Sequence, residues 1–159
     1  MRRFKQQLPQ EEAIQILETA TNGVLSLIDP DGDPYGIPMS FVFDGERSIY
    51  FHCALSGRKL DCIRANPRCC FTVVDRDEIR PQEFTTYFKS VIAEGEISGV
   101  REEDAMIAAL RLLSSKYSPG IACESEISKG LPRVMVLKMS INSITGKEAI
   151  ELTKQRQGE

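Results

Sequence analysis

An antiparallel barrel of six β-strands with helices around it is the fold this sequence predicts, and three observations carry the prediction. Segments of alternating polarity recur along the chain, spaced by turns rich in Gly, Asp and Pro. Helical patterns are too few to supply a crossover between each pair of strands, as parallel pairing would need. A sheet of this kind left flat would also expose bare edges, which a closed or nearly closed barrel avoids.

The elements follow in chain order. PQEEAIQILETAT, 9–21, places Pro9, Glu11 and Glu12 where a fixed φ and negative charge favour a helix start, with Ala13, Ile14, Leu17 and Ala20 on one face. GVLSLID, YGIPMSFVF and SIYFHCA, joined by DPDGDP and DGER, then read as a three-stranded meander. Ile37, Met39, Phe41 and Phe43 share one face of the second strand, and Ile49, Phe51 and Cys53 one face of the third, so these faces form the core. The opposite faces, Pro38, Ser40 and Val42 with Tyr50, His52 and Ala54, mix polar and apolar groups, which suits a surface covered by a ligand or a second subunit.

Residues 57–66 read as a short helix with Leu60 and Ile63 inward, stopped by Asn66-Pro67. RCCFTVVD returns as a strand, and 89–97 alternates Val91, Ala93 and Ile97 against Ser90, Glu94 and Glu96. EEDAMIAALRLLSSKY carries a helical stripe of Met106, Ala109, Leu110, Leu113 and Tyr117, ended by Ser118-Pro119-Gly120. RVMVLKMSI is the sixth strand. Residues 118–132 are expected as an irregular loop and 150–159 as a flexible tail, within one domain covering 1–159.

Composition narrows the function classes. A net charge of −3 with 27% charged residues lacks the basic excess that nucleic-acid binding uses. No apolar run reaches the ~20 residues of a membrane span, and MRRFKQQLPQEE has no apolar signal segment, so a cytoplasmic protein is expected. Five cysteines, an odd number with no C-x-x-C pair, and a single histidine point to free thiols and to no metal site.

FHCALSGRKLDCIRANP, 51–67, concentrates the chemistry. Gly57 lets the chain turn sharply into a helix whose first N–H groups have no intrahelical partner, and Arg58 and Lys59 add charge there. A phosphate monoester is the natural guest of such a turn, and a solvated pair of cations is the plainer reading of the three residues taken alone. A ligand anchored there would extend over His52 and Ala54 toward Pro38, Met39 and Ser40. Pro38 inside a strand fits a position where no ladder donor is needed, at an edge, a bulge or a ligand approach. There is no G-x-G-x-x-G, and SITGKE lacks the earlier glycine of a P-loop, position 141 being Ile.

GVLSLIDPDGDPYGIPMSF, IYFHCALSGRKLDCIRANPRCCF, KSVIAEGEI and SITGKEA together resemble, in the same order, the FMN-binding split-barrel proteins related to pyridoxamine 5′-phosphate oxidase, and among them the nitroimidazole-resistance group. The resemblance implies a six-stranded split barrel, a homodimer with FMN at the subunit interface, and an oxidoreductase acting on a small molecule, with NAD(P)H as a candidate electron donor. Carried onto this chain, it implies that Arg58 and Lys59 hold the phosphate and that His52, Cys53 and Ala54 line the phosphate and ribityl side. Pro38, Met39 and Ser40 would approach the ring, and Ser90 and Val91 would contact the cofactor from the next strand. The chain departs from true pyridoxamine phosphate oxidases in having no Trp and no Arg- and His-containing C-terminal segment, so that particular activity is not implied. Two alternatives stand beside it: a haem-binding barrel ligating iron through His52, and a non-catalytic flavin-binding dimer.

Overall fold

The computed structural model describes residues 4–158. The first residues of the leading segment MRRFKQQLPQEE, and Glu159 of the expected tail, lie outside these. After a short 3₁₀ turn the chain forms α1 (Gln10–Thr19), β1 (Asn22–Ile28), β2 (Pro34–Ser40), β3 (Val42–Phe43) and β4 (Ser48–Ala54). It continues through α2 (Arg58–Ala65), β5 (Arg68–Arg80), β6 (Thr85–Gly99), α3 (Glu103–Tyr117), α4 (Glu124–Gly130), β7 (Val134–Glu148) and α5 (Ile150–Gln157).

The sheet has seven strands in the order β2-β1-β5-β6-β7-β4-β3, and every pairing is antiparallel. The expected second strand is therefore two. It breaks at Phe41, and its halves lie at opposite ends of the hydrogen-bonded order. One residue cannot span a flat sheet of this width, since neighbouring strands lie about 4.8 Å apart. The sheet must curl until its two edges meet at Phe41, which leaves a split barrel without a closing ladder.

The hydroxyl of Tyr117, at the end of α3, serves that seam in place of the ladder. It accepts from the Phe41 N–H at 2.8 Å and lies within donating distance of the Phe41 and Thr21 carbonyls. The Lys116 ammonium sits 4.2 Å from the centre of the Phe41 ring, and burial lowers its pKa. Inside, Phe41 packs edge-on against Phe71 at 4.7 Å, and Phe51 against Phe71 at 5.2 Å. Ile49, Phe51, Val91, Ala93, Leu137 and Met139 complete the same core from the inward faces of their strands.

Two expectations about irregular chain are corrected. The stretch 118–132 contains α4, seated by the single buried residue Ile127. The segment 150–159 forms α5 up to Gln157 and packs Leu152 with Tyr87 and Ala149. Tertiary contacts carry α5: Arg156 donates to the carboxylate of Glu148, 2.7 Å away, which is only 1% exposed. The β5–β6 hairpin also runs well beyond the expected strands, to a tip where Phe84 takes a left-handed φ of 51°. The Gly-Lys of SITGKE belongs to β7, where a side chain on Gly146 would strike Leu8 and Ala13. Close packing of the N-terminal segment, not phosphate binding, explains that glycine.

Candidate functional site

The turn before α2 has the geometry its sequence suggests. Gly57 adopts φ 134° and ψ 167°, a conformation that favours glycine, and no side chain caps the helix. Its carbonyl accepts from Leu60 at 2.9 Å and from Asp61 at 3.2 Å, so the N–H groups of Arg58 and Lys59 are left over from the first turn. These donors and the positive end of the helix favour an anion.

The two cations differ. Arg58 donates to Asp29 at 2.8 Å, and its guanidinium lies 4.3 Å from the centre of the Tyr35 ring. Asp29 in turn accepts from the N–H groups of Asp31 and Asp33 and is only 9% exposed, which makes it the knot of the DPDGDP turn. The hydrogen bond from Arg58, then that from Asp33, holds its carboxyl below the ordinary range. Arg58 is more than half exposed and keeps further donors for a ligand. Lys59 has no carboxylate partner among the described residues; its Nζ lies 3.2 Å from Met39 Sδ, a weak acceptor. It is the uncompensated charge of the turn.

A second feature lies up-chain of the turn. A cavity of about 350 Å³ opens between the outer face of β4 and the layer formed by α3 and α4, and Ser40 and His52 line it with Leu110, Leu113, Ile127 and Val134. His52 is exposed on the outer face of β4 opposite Val136, and among the described residues no protein hydrogen bond engages its ring.

A third is the outer sheet face. Pro38 pairs with Val24, Val24 with Thr72, Thr72 with Ile92, and Val74 with Ser90, so these six side chains share one side. Val24, Val74 and Ile92 are 42%, 63% and 40% exposed there, an apolar patch on one face of the sheet. Pro38 sits on the edge strand β2, where its missing N–H removes no ladder bond from a central pairing.

A family model described as pyridoxamine 5′-phosphate oxidase matches residues 9–148. The chain belongs to that family. Solved structures place it on the same fold. A protein from Bacteroides thetaiotaomicron, named for 5-nitroimidazole antibiotic resistance, is 20% identical with a TM-score of 0.80, over 89% of this chain and 86% of that one. A flavocytochrome from Azotobacter vinelandii is 20% identical with a TM-score of 0.75, over 94% of this chain and 72% of that one. An FAD-binding protein from Mesorhizobium loti is 22% identical with a TM-score of 0.64, over 90% and 96%. No curated protein matches the chain.

Within this member of the pyridoxamine 5′-phosphate oxidase family, the residues singled out from sequence do not form one cluster. Ser40 and His52 share the cavity, and Ala54 pairs with Val134 at its wall. The Lys59 ammonium lies 3.2 Å from Met39 Sδ, and burial raises the Cys53 thiol pKa while the Lys59 charge offsets part of the rise. Pro38 and Ser90 lie on the outer sheet face. The Val91 side chain is wholly buried in the core and its backbone lies between β5 and β7, on the opposite face from Ser90.

Asp29, Tyr35, Tyr117 and the α4 residue Ile127 were not found from sequence. For Asp29 a signal existed, since an Asp opening an Asp-Pro-rich turn is a natural acceptor for its own backbone. No local pattern could bring Tyr117 to Phe41, 76 residues away.

Proposed function

We propose that this chain binds FMN, with the phosphate at the Gly57–Lys59 turn, and works as a homodimeric oxidoreductase on a small molecule with reduced nicotinamide as donor. The observation that carries the reading is the turn itself: free helix N–H groups beside an ammonium that has no carboxylate partner among the described residues. Membership of the pyridoxamine 5′-phosphate oxidase family supports it, as does the fold shared with proteins described as FAD-binding. Lys59 and one edge of the Arg58 guanidinium would hold the phosphate, and Ala54, His52, Ser40 and Pro38 would border the rest. When bound, the flavin supplies the hydride or electron transfer, and the protein supplies position and electrostatics. The apolar outer face at Val24, Val74 and Ile92 is the surface a second copy would cover.

The absorbance spectrum of the purified protein, followed by FMN titration, tests the reading. A flavin spectrum or saturable uptake is expected; protein that neither carries nor takes up FMN overturns it. The non-catalytic alternative predicts bound FMN that neither NADH nor NADPH reduces. A second reading is favoured by one observation, the unengaged ring of His52 on an exposed face, in a fold shared with a flavocytochrome and with a protein described as FAD- and haem-binding. Haem ligated by His52 predicts a Soret band that His52→Ala abolishes.

A further inference from the structure

A cavity of about 440 Å³ lies where α2 meets the last residues of β6 and the first of β7. Its floor is aliphatic: Leu60 and Ile63 contribute from the inward side of α2, and Met135 and Leu137 from β7. The ladder between β6 and β7 runs out at Gly99, paired with Leu137. One more bond, from the Val100 N–H to the Val136 carbonyl at 2.9 Å, holds the chain before it leaves for α3. Past that point Met135 is only half-buried, and a Cβ on Gly99 would lie 3.2 Å from its Sδ, so glycine keeps this wall open. No aromatic ring lines the cavity, and leucine, isoleucine and methionine walls suit a flexible aliphatic chain.

Two guanidiniums border this floor, those of Arg64 and Arg101, and no carboxylate lines the cavity. Arg64 is paired with Asp61 one turn back on α2, but both side chains are exposed, and such a pair is loosely held in water. Arg101 has no carboxylate partner among the described residues. Glu102, Glu103 and Asp104 follow it in the chain, yet they open α3 and do not line the cavity. A guanidinium takes a carboxylate through two parallel N–H groups, so charge and floor together fit an anion with an apolar tail. A neutral tail alone would leave the arginines unused, and a small anion alone would leave the floor wet.

We propose that this cavity binds an amphipathic carboxylate with a medium-length aliphatic tail, its head held by Arg64 and Arg101 and its tail laid on Leu60, Ile63, Met135 and Leu137. The site stands apart from the flavin reading. It shares no residue with the Gly57–Lys59 turn or with those assigned to the cofactor.

Octanoate, octanamide and acetate separate the two halves of the site, since octanamide keeps the tail without the charge and acetate the charge without the tail. The full chain as purified, and again saturated with FMN, is titrated with each below the micellar range and followed by ¹H–¹⁵N NMR. Octanoate is expected to give saturable shifts at Ile63–Ala65 and Ser98–Arg101, the same with and without FMN, with the other two probes weaker by at least about tenfold. From butanoate to octanoate, affinity should rise about two- to fourfold per methylene. Arg101→Gln, or Arg64→Gln should the first variant fail to fold, is expected to weaken octanoate by about tenfold and leave octanamide unchanged, a split that general loss of structure would not produce. Octanamide as tight as octanoate, shifts centred on α3 and α4 or on the Gly57–Lys59 turn, displacement of octanoate by FMN, or full octanoate affinity in the folded variant would overturn the proposal. Protein that binds FMN but shows no octanoate site refutes this cavity alone. Protein that binds octanoate here and refuses FMN refutes the flavin reading and leaves the cavity standing.

Discussion

The α2 turn and the cavity beneath α3 and α4 sit along one short run of chain, from His52 to Lys59, yet they are built in different ways. The turn is local: Gly57, Arg58 and Lys59 are consecutive, and its attraction for anions comes from the start of a single helix. The cavity is assembled from β2, β4, α3, α4 and β7, and offers apolar walls with hydroxyls, an imidazole and one carboxylate, Glu126, already paired with Lys129. Charge recognition at a helix start can be written in adjacent residues, whereas shape recognition between layers needs residues far apart in sequence.

The sharpest way to break the contrast is at the cations. Arg58→Ala combined with Lys59→Ala is expected to weaken FMN binding by about a hundredfold or more, from the loss of charge-assisted hydrogen bonds. Flavin titration checks it. Of the single variants, Lys59→Ala should have the larger effect, because Arg58 already spends part of its capacity on Asp29.

Next comes the seam. Tyr117→Phe removes the hydroxyl that serves Phe41 and Thr21, and a buried backbone group left without a partner costs about 1–3 kcal/mol. Thermal or urea unfolding should show that loss. FMN binding by the fraction that remains folded should be largely retained, since no hydrogen bond links Tyr117 to the Gly57–Lys59 turn among the described residues.

Asp29 gives a smaller effect with a defined pH dependence. Its folded-state pKa is lowered, chiefly by Arg58, so its contribution to stability is complete above the ordinary aspartate range and is lost as pH falls through the lowered value. The stability difference between wild type and Asp29→Asn should therefore shrink in acid below that range and be level near neutrality. Because the substitution frees Arg58, FMN affinity near neutrality should rise severalfold. A fall would mean that the Asp29 pair positions Arg58 for the ligand.

The smallest effect concerns the thiols. Burial, with a further contribution from Cys70, pushes the Cys69 pKa up to about 12, and Cys62 is fully buried with a raised pKa as well. Iodoacetamide at pH 8 should leave both unmodified in the native protein, as peptide mass mapping would show.

The alternation of Ile49, Phe51 and Cys53 and the stop at Asn66-Pro67 were legible because period and punctuation are local properties, and the barrel strands and α2 follow from them. The break at Phe41 was not. Met39, Phe41 and Phe43 alternate as one strand would, and only closure of the sheet divides them. The helix α5 was illegible for a related reason: IELTKQRQ has almost no apolar face, and its order comes from Arg156 on buried Glu148 and from Leu152 on Tyr87. At the candidate site, Gly57, Arg58 and Lys59 could be read directly, and His52 could be noticed but not placed. The roof over His52 depends on α4, a helix of seven residues with one buried side chain, too weak a signal to predict from its own sequence.

The central claim is that a phosphate is anchored at the start of α2, and comparison of FMN with riboflavin tests it most directly, because the two differ only in that group. Titrated into the apoprotein under identical salt and pH, FMN should bind about a hundredfold or more tightly than riboflavin, and Arg58→Ala with Lys59→Ala should erase most of the difference. Equal affinities for the two flavins in the wild-type protein would contradict the account.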